Sequence, residues 1–184
     1  MNWKEQFENV EKQFGQHAER DWKPVIDLVQ NAIKNNPDDV EAYIRTIYLL
    51  HNVLVEEDYT ALEHDYMAEL LKKYFNQSFF KFKENTEYLF FIGKILHISE
   101  WYFGLDDDIK SNDESLAFKM QKKAYENEPE NILFEWAYRL SSNDATAVTL
   151  AKKILNDSDK IQWLKSKGFP GSYFLEHLEA CAQK

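Results

Sequence analysis

The chain is short of the residues that cross-link and punctuate a fold. It has one cysteine, Cys181, which excludes an intramolecular disulfide framework and fits a reducing compartment. Five glycines and four prolines in 184 residues are too few for the many tight turns of an all-β protein. Positive charge is also scarce, because 22 Lys and Arg face 32 Asp and Glu for a formal net charge of -10. Such a surface repels phosphate backbones and anionic lipid, so nucleic acid and membranes are excluded as expected partners and a basic protein is favoured. Long apolar runs are missing as well. The most apolar stretch, Tyr88 to Ile98, is interrupted by Lys94 and is too short to span a bilayer. The segment MNWKEQFENVEKQ at the amino terminus lacks the apolar core of a secretory signal, and a cytoplasmic location is the expectation.

The residue patterns of common catalysts are missing too. There is no GxSxG elbow, no glycine-rich phosphate loop and no HExxH pair. Five histidines are present, His17, His51, His64, His97 and His177, and none follows a glutamate by three positions as a helical carboxylate metal site requires. Asp106-Asp107-Asp108-Ile109-Lys110 starts like a calcium loop, but a lysine stands at the third ligand position and the glycine at the sixth is missing. His177 and Cys181 share one helix face at a four-residue step, with no third group to orient them. The sequence therefore predicts no catalytic residue, no metal and no cofactor.

What is present is helical periodicity. Apolar residues recur at steps of three and four through Val25, Ile26, Val29 and Ile33, and through Val40, Tyr43, Ile44 and Ile47 with Leu50 and Leu54. With 44% hydrophobic and 29% charged residues, the composition is globular, and the length predicts a single all-helical domain over 1–184. Periodicity and breakers place helices near 2–18, 21–35, 38–55, 59–75, 84–103, 112–127, 130–141, 144–156 and 171–182, joined by short connections into antiparallel hairpins. The helix at 84–103 is apolar on nearly every face and is expected at the centre. Gly104 is placed to end it.

Two junctions share a pattern. Ala32-Ile-Lys-Asn-Asn-Pro37 is followed by Tyr43, and Ala124-Tyr-Glu-Asn-Glu-Pro129 by Trp136. An alanine five residues before a proline that opens the next helix resembles the junction between tetratricopeptide repeats, over residues 22–75 and 112–156. That resemblance implies a stack of helical hairpins, each burying its neighbour's apolar face. The Trp-x-x-Leu-Gly-x-x-Tyr run is absent and the junctions do not keep the 34-residue period, so an irregular helical bundle stays open beside the repeat-like stack.

Negative charge is segregated. No Lys or Arg occurs from Thr46 to Leu71, where Glu56, Glu57, Asp58, Glu63, Asp65 and Glu69 fall. The same holds between Ala124 and Tyr138, where Glu126, Glu128, Glu130 and Glu135 fall, and in the stretch 106–114 apart from Lys110. The residues expected to dock a partner are Glu56, Glu57, Asp58, Asp106, Asp107, Asp108, Asp113 and Glu114. In its size, acidity and helicity the chain resembles the immunity proteins that bacteria make against nuclease toxins, whose substrate clefts are basic. That implies a non-enzymatic inhibitor that covers a basic toxin domain. The alternative is a tetratricopeptide-like adaptor that binds a peptide or protein, with Lys72-Lys73, Lys122-Lys123 and Lys152-Lys153 in its groove.

Overall fold

A computed structural model describes residues 2–14, 20–105 and 112–184. Among the described residues the regular elements are ten α-helices and two 3-10 turns, with no strand, so the all-α expectation holds. The length points to one domain over 1–184, whereas the chain divides into two compact units, Met1–Lys81 and Phe82–Lys184.

The first unit contains α1 (Trp3–Glu11), α2 (Lys23–Asn35), α3 (Val40–Glu56) and α4 (Ala61–Phe82). Twelve of the 17 residues of α3 are buried, which makes it the axis of this unit. One of them is charged. The Arg45 side chain is 1% exposed and its guanidinium grips Glu11 with two bonds, 2.8 Å to Oε2 and 3.3 Å to Oε1. A paired fork of this kind offsets the cost of removing both charges from water, and it fastens α1 to α3. Lys4 reinforces that clamp by donating to Glu41 at 2.7 Å. Trp22, also 1% exposed, donates its indole N–H to the Asp58 carbonyl at 2.8 Å and ties the start of α2 to the α3–α4 turn. Lys81 at the end of α4 meets Pro37 and Asp38 at the start of α3, so these two helices run antiparallel. The sequence predicts that α4 stops near 75, but no glycine or proline interrupts Asn76-Gln77-Ser78 and the helix continues to Phe82. The helix predicted over 2–18 ends at Glu11, with residues 12–14 in turns and 15–18 outside the described residues.

The second unit contains α5 (Thr86–Ser99), α6 (Leu116–Asn127), α7 (Ile132–Ser141), α8 (Thr146–Leu155), α9 (Ser158–Lys165) and α10 (Phe169–Ala182). Nine of the 14 residues of α5 are buried, as an all-round apolar helix requires. Beyond Ser99 the chain tightens into a 3-10 turn, Glu100–Phe103, and Gly104 ends it in the left-handed region at φ 73°. Gly93 lets α6 approach. A Cβ there would sit 2.7 Å from Nε2 of Gln121, a fully buried side chain that donates to the Phe90 carbonyl at 2.7 Å. Around α5 the rings interlock: Phe90 lies 4.2 Å from Phe174 and 4.9 Å from Phe134, and Phe91 lies 5.2 Å from Phe174. Tilted and edge-on pairs of this kind are favoured by the ring quadrupoles.

The two proline junctions match in three dimensions, with one correction to their reading. Pro37 and Pro129 lie in the turn before each helix, not in its first turn, and the caps are Asp39 and Asn131. Each helix before the junction closes with an N–H to an alanine carbonyl, Asn36 to Ala32 at 3.0 Å and Glu128 to Ala124 at 3.3 Å. The closing residues adopt almost the same backbone, φ -132° and ψ 57° against φ -136° and ψ 71°. Both alanines are buried, which a larger side chain at the hairpin crossing would not allow.

Candidate functional site

The caps that shape the second unit also assemble its most distinctive surface cleft, of about 400 Å³, lined by Glu87, Glu128, Asn131, Leu133, Phe134, Asp159, Lys160 and Trp163. Asn85 caps α5 by accepting from the Tyr88 N–H at 2.9 Å, which sets Glu87 in the first turn. Asn131 caps α7 by accepting from Leu133 N–H at 3.2 Å, and its amide donates to Glu128 at 3.4 Å. Asp157 caps α9 by accepting from the N–H groups of Asp159 and Lys160 at 3.0 and 3.1 Å. Caps of this type satisfy the free amides of a first turn and bring carboxylates to the positive end of the helix dipole.

The wall is apolar, and the rim carries three carboxylates and Lys160. Leu133 and Phe134 are 1% and 3% exposed, while Trp163 is half-buried and stacks on Phe91 with centroids 5.8 Å apart and planes 25° apart. Glu87 is already neutralised, because Lys167 donates to it at 2.7 Å and sits 5.0 Å over the Trp163 ring. Glu128 and Asp159 are exposed and take part in no ion pair among the described residues. Chemically, the cleft offers two exposed carboxylates that form no ion pair among the described residues, with Lys160 beside them, above an apolar wall. That combination suits a lysine or arginine side chain, whose methylene stem lies on the wall while its charged end meets the rim.

The residues singled out in the sequence fall elsewhere. Glu56 and Asp58 are exposed at the end of α3, but Glu57 between them is 8% exposed and is corrected to an inward residue, since the chain turns extended there at φ -114° and ψ 163°. Asp58 borders a second cleft of about 430 Å³ with Arg20, Tyr59, Thr60 and Glu63. Its charge is mixed. Arg20 lies 5.7 Å from the Trp22 ring, and Glu63 is held below the usual carboxylate range by bonds from the backbone and hydroxyl of Thr60. Asp113 and Glu114 are exposed in the 3-10 turn Asn112–Glu114 of the other unit. Asp106, Asp107 and Asp108 lie outside the described residues, as do Lys110 and His17.

Of the expected negative stretches, the one around Glu130 contributes to the cleft, through Glu128. Asp159, Lys160 and Trp163 belong to α9, a helix that the periodicity of the sequence does not reveal because only Leu164 of its eight residues is buried. The available signal was Asn156-Asp157-Ser158-Asp159, a run of capping residues ahead of Ile161 and Leu164.

Among the described residues no group of three His, Cys, Asp or Glu side chains is placed to hold a metal ion, and no helix is long and apolar enough to cross a membrane. No family model, curated protein or solved structure matches the chain.

Proposed function

We propose that this chain is a non-enzymatic protein that neutralises a basic protein partner by covering its active surface, in the manner of a cytoplasmic immunity protein on a cationic nuclease toxin. The observation that carries the proposal is the pair of exposed carboxylates outside any ion pair with a described residue, Glu128 and Asp159, set over the Leu133–Phe134 wall. Carboxylates of this kind speed encounter with a positive surface and select for it by charge. The adaptor alternative draws on the matching hairpin junctions, but its lysines are partly engaged: Lys123 meets Glu84 at 2.6 Å and Lys122 meets Glu126 at 3.7 Å.

The test is capture of partners on the immobilised chain at rising salt, beside the double variant Glu128→Lys/Asp159→Lys. The proposal expects a basic protein to be retained at low salt, to elute as salt rises, and to be lost with the double variant by about a hundredfold in affinity. Retention of the same partner by the variant, or a salt-indifferent acidic partner, overturns it. A partner lost instead on reversing Lys122 and Lys123 supports the adaptor.

A further inference from the structure

The outer face of α4 carries an ordered line of side chains. Its inner face buries Met67, Leu70, Leu71, Tyr74, Phe75 and Ser78. On the opposite side, Leu62 is 84% exposed and Phe80 83%, and Tyr66, 45% exposed, lies at the flank, where Gln30 of α2 donates to its hydroxyl at 2.8 Å. Leu62, Tyr66, Glu69, Lys73, Asn76 and Phe80 follow one another at alternating steps of four and three residues. That spacing draws a single line along the helix and is the spacing of a coiled-coil seam. Phe80 comes about five turns, or about 27 Å, after Leu62 and points the same way.

The order of side chains along this line is self-complementary about its midpoint. When a second α4 is laid antiparallel across the first, Leu62 meets Phe80 of the other copy, Tyr66 meets Asn76, and Glu69 meets Lys73. Each contact occurs twice, as two-fold symmetry demands. A parallel arrangement sets Glu69 on Glu69 and Lys73 on Lys73, which repels. Glu69 and Lys73 are both exposed, and neither joins a salt bridge with a described residue. A uniformly charged partner meets repulsion at one of the two. We propose that the outer face of α4 is a self-association surface, occupied by a second copy of this chain in an antiparallel helix pair. With two large apolar residues per copy at its ends, the contact is small, and it forms reversibly at high concentration.

Sedimentation of the full chain from about 1 µM to about 1 mM tests this. The expected result is a monomer at the low end and a dimer at the high end. Leu62→Glu, with an unchanged circular dichroism spectrum, abolishes the dimer. Glu69→Lys alone or Lys73→Glu alone weakens it by about tenfold, and Glu69→Lys with Lys73→Glu restores it, because the swapped pair is again complementary. Register is read separately: Leu62→Cys mixed with Phe80→Cys oxidises to a covalent dimer, whereas Leu62→Cys alone does not, its two thiols lying about 27 Å apart. The native Cys181 is only 4% exposed and does not compete. A monomer at every concentration, a dimer indifferent to these changes, failure of the charge swap to restore association, or protection of this face only when a different protein is added would each overturn the proposal.

Discussion

The two units of this molecule hold their helices together by different means. In the first, a charged fork in the middle of α3 joins Arg45 to Glu11 on α1. In the second, α5 is surrounded by rings, with Phe174 lying against Phe90, Phe91 and Trp136. An ion pair fixes two helices in one register, but it makes each partner dependent on the other. A ring cluster distributes its stabilisation over many contacts, and no single group is stranded when another is lost.

Arg45→Met separates the two cases most strongly. It removes both bonds that Glu11, whose side chain is 8% exposed, accepts from the guanidinium, and is expected to cost about 3–5 kcal/mol in urea unfolding of the full chain. Adding Glu11→Met should recover most of that loss, since an apolar pair of similar volume replaces the buried charges. Phe174→Ala is expected to cost about the same, 3–5 kcal/mol, because it opens a cavity between Phe90, Phe91 and Trp136. There, no second truncation brings the stability back. If the Glu11 change fails to rescue Arg45→Met, the first unit is held by packing, as the second is.

Gly171→Ala probes how closely the second unit is packed. A Cβ at this position would lie 1.7 Å from the Leu164 carbonyl oxygen, so α9 and α10 must move apart to admit it. The expected loss is about 3 kcal/mol, read from the same urea curves. A neutral result would show that the α9–α10 corner yields freely, and would weaken the docking cleft that α9 helps to form.

This contrast also decides what can be read from the sequence. The helix at 84–103 is legible because apolar side chains cover nearly every face; the structure buries nine residues of its Thr86–Ser99 part, while the end departs as a 3-10 turn on which Trp101 is exposed. The junctions at Pro37 and Pro129 are legible because alanine, proline and a capping residue act locally. Arg45 is not, since a single arginine in an apolar series looks the same whether it snorkels to water or meets Glu11 from 34 residues away. Glu57 misleads for a related reason: between Glu56 and Asp58 nothing local shows that the chain turns it inward. The cleft stays hidden because Glu87, Glu128 and Asp159 meet only through the packing of three helices, and α9 leaves too faint an apolar trace to be placed.

The pH dependence also divides the units. His51, 5% exposed on α3, has its pKa lowered by burial from 6.5 to about 4. The unfolded imidazole takes up a proton near 6.5 while the folded one does not until about 4, so stability is complete above pH 6.5 and declines as the pH falls toward 4. Lys94 on α5 is lowered by burial from 10.5 to about 8, with Cys181 opposing the shift and Lys184 adding to it. Its folded form releases the proton near 8 while the unfolded form keeps it to 10.5, so stability rises between those values as the buried charge disappears. His177, half-buried near Lys94 and likewise lowered to about 4, shares the acid window, which makes Lys94 the group that distinguishes the second unit. The urea midpoint of each variant minus that of the parent, followed from pH 4 to pH 10.5, isolates these groups from the rest. His51→Phe should flatten part of the acid decline and leave the alkaline rise as it was, whereas Lys94→Met should remove the alkaline rise and also soften the acid decline, because the Lys94 charge helps to lower His97 and His177. A Lys94→Met curve parallel to the parent between pH 8 and 10.5 would mean that water reaches the amine, and that α5 is less enclosed at its carboxyl end than its ring-lined middle.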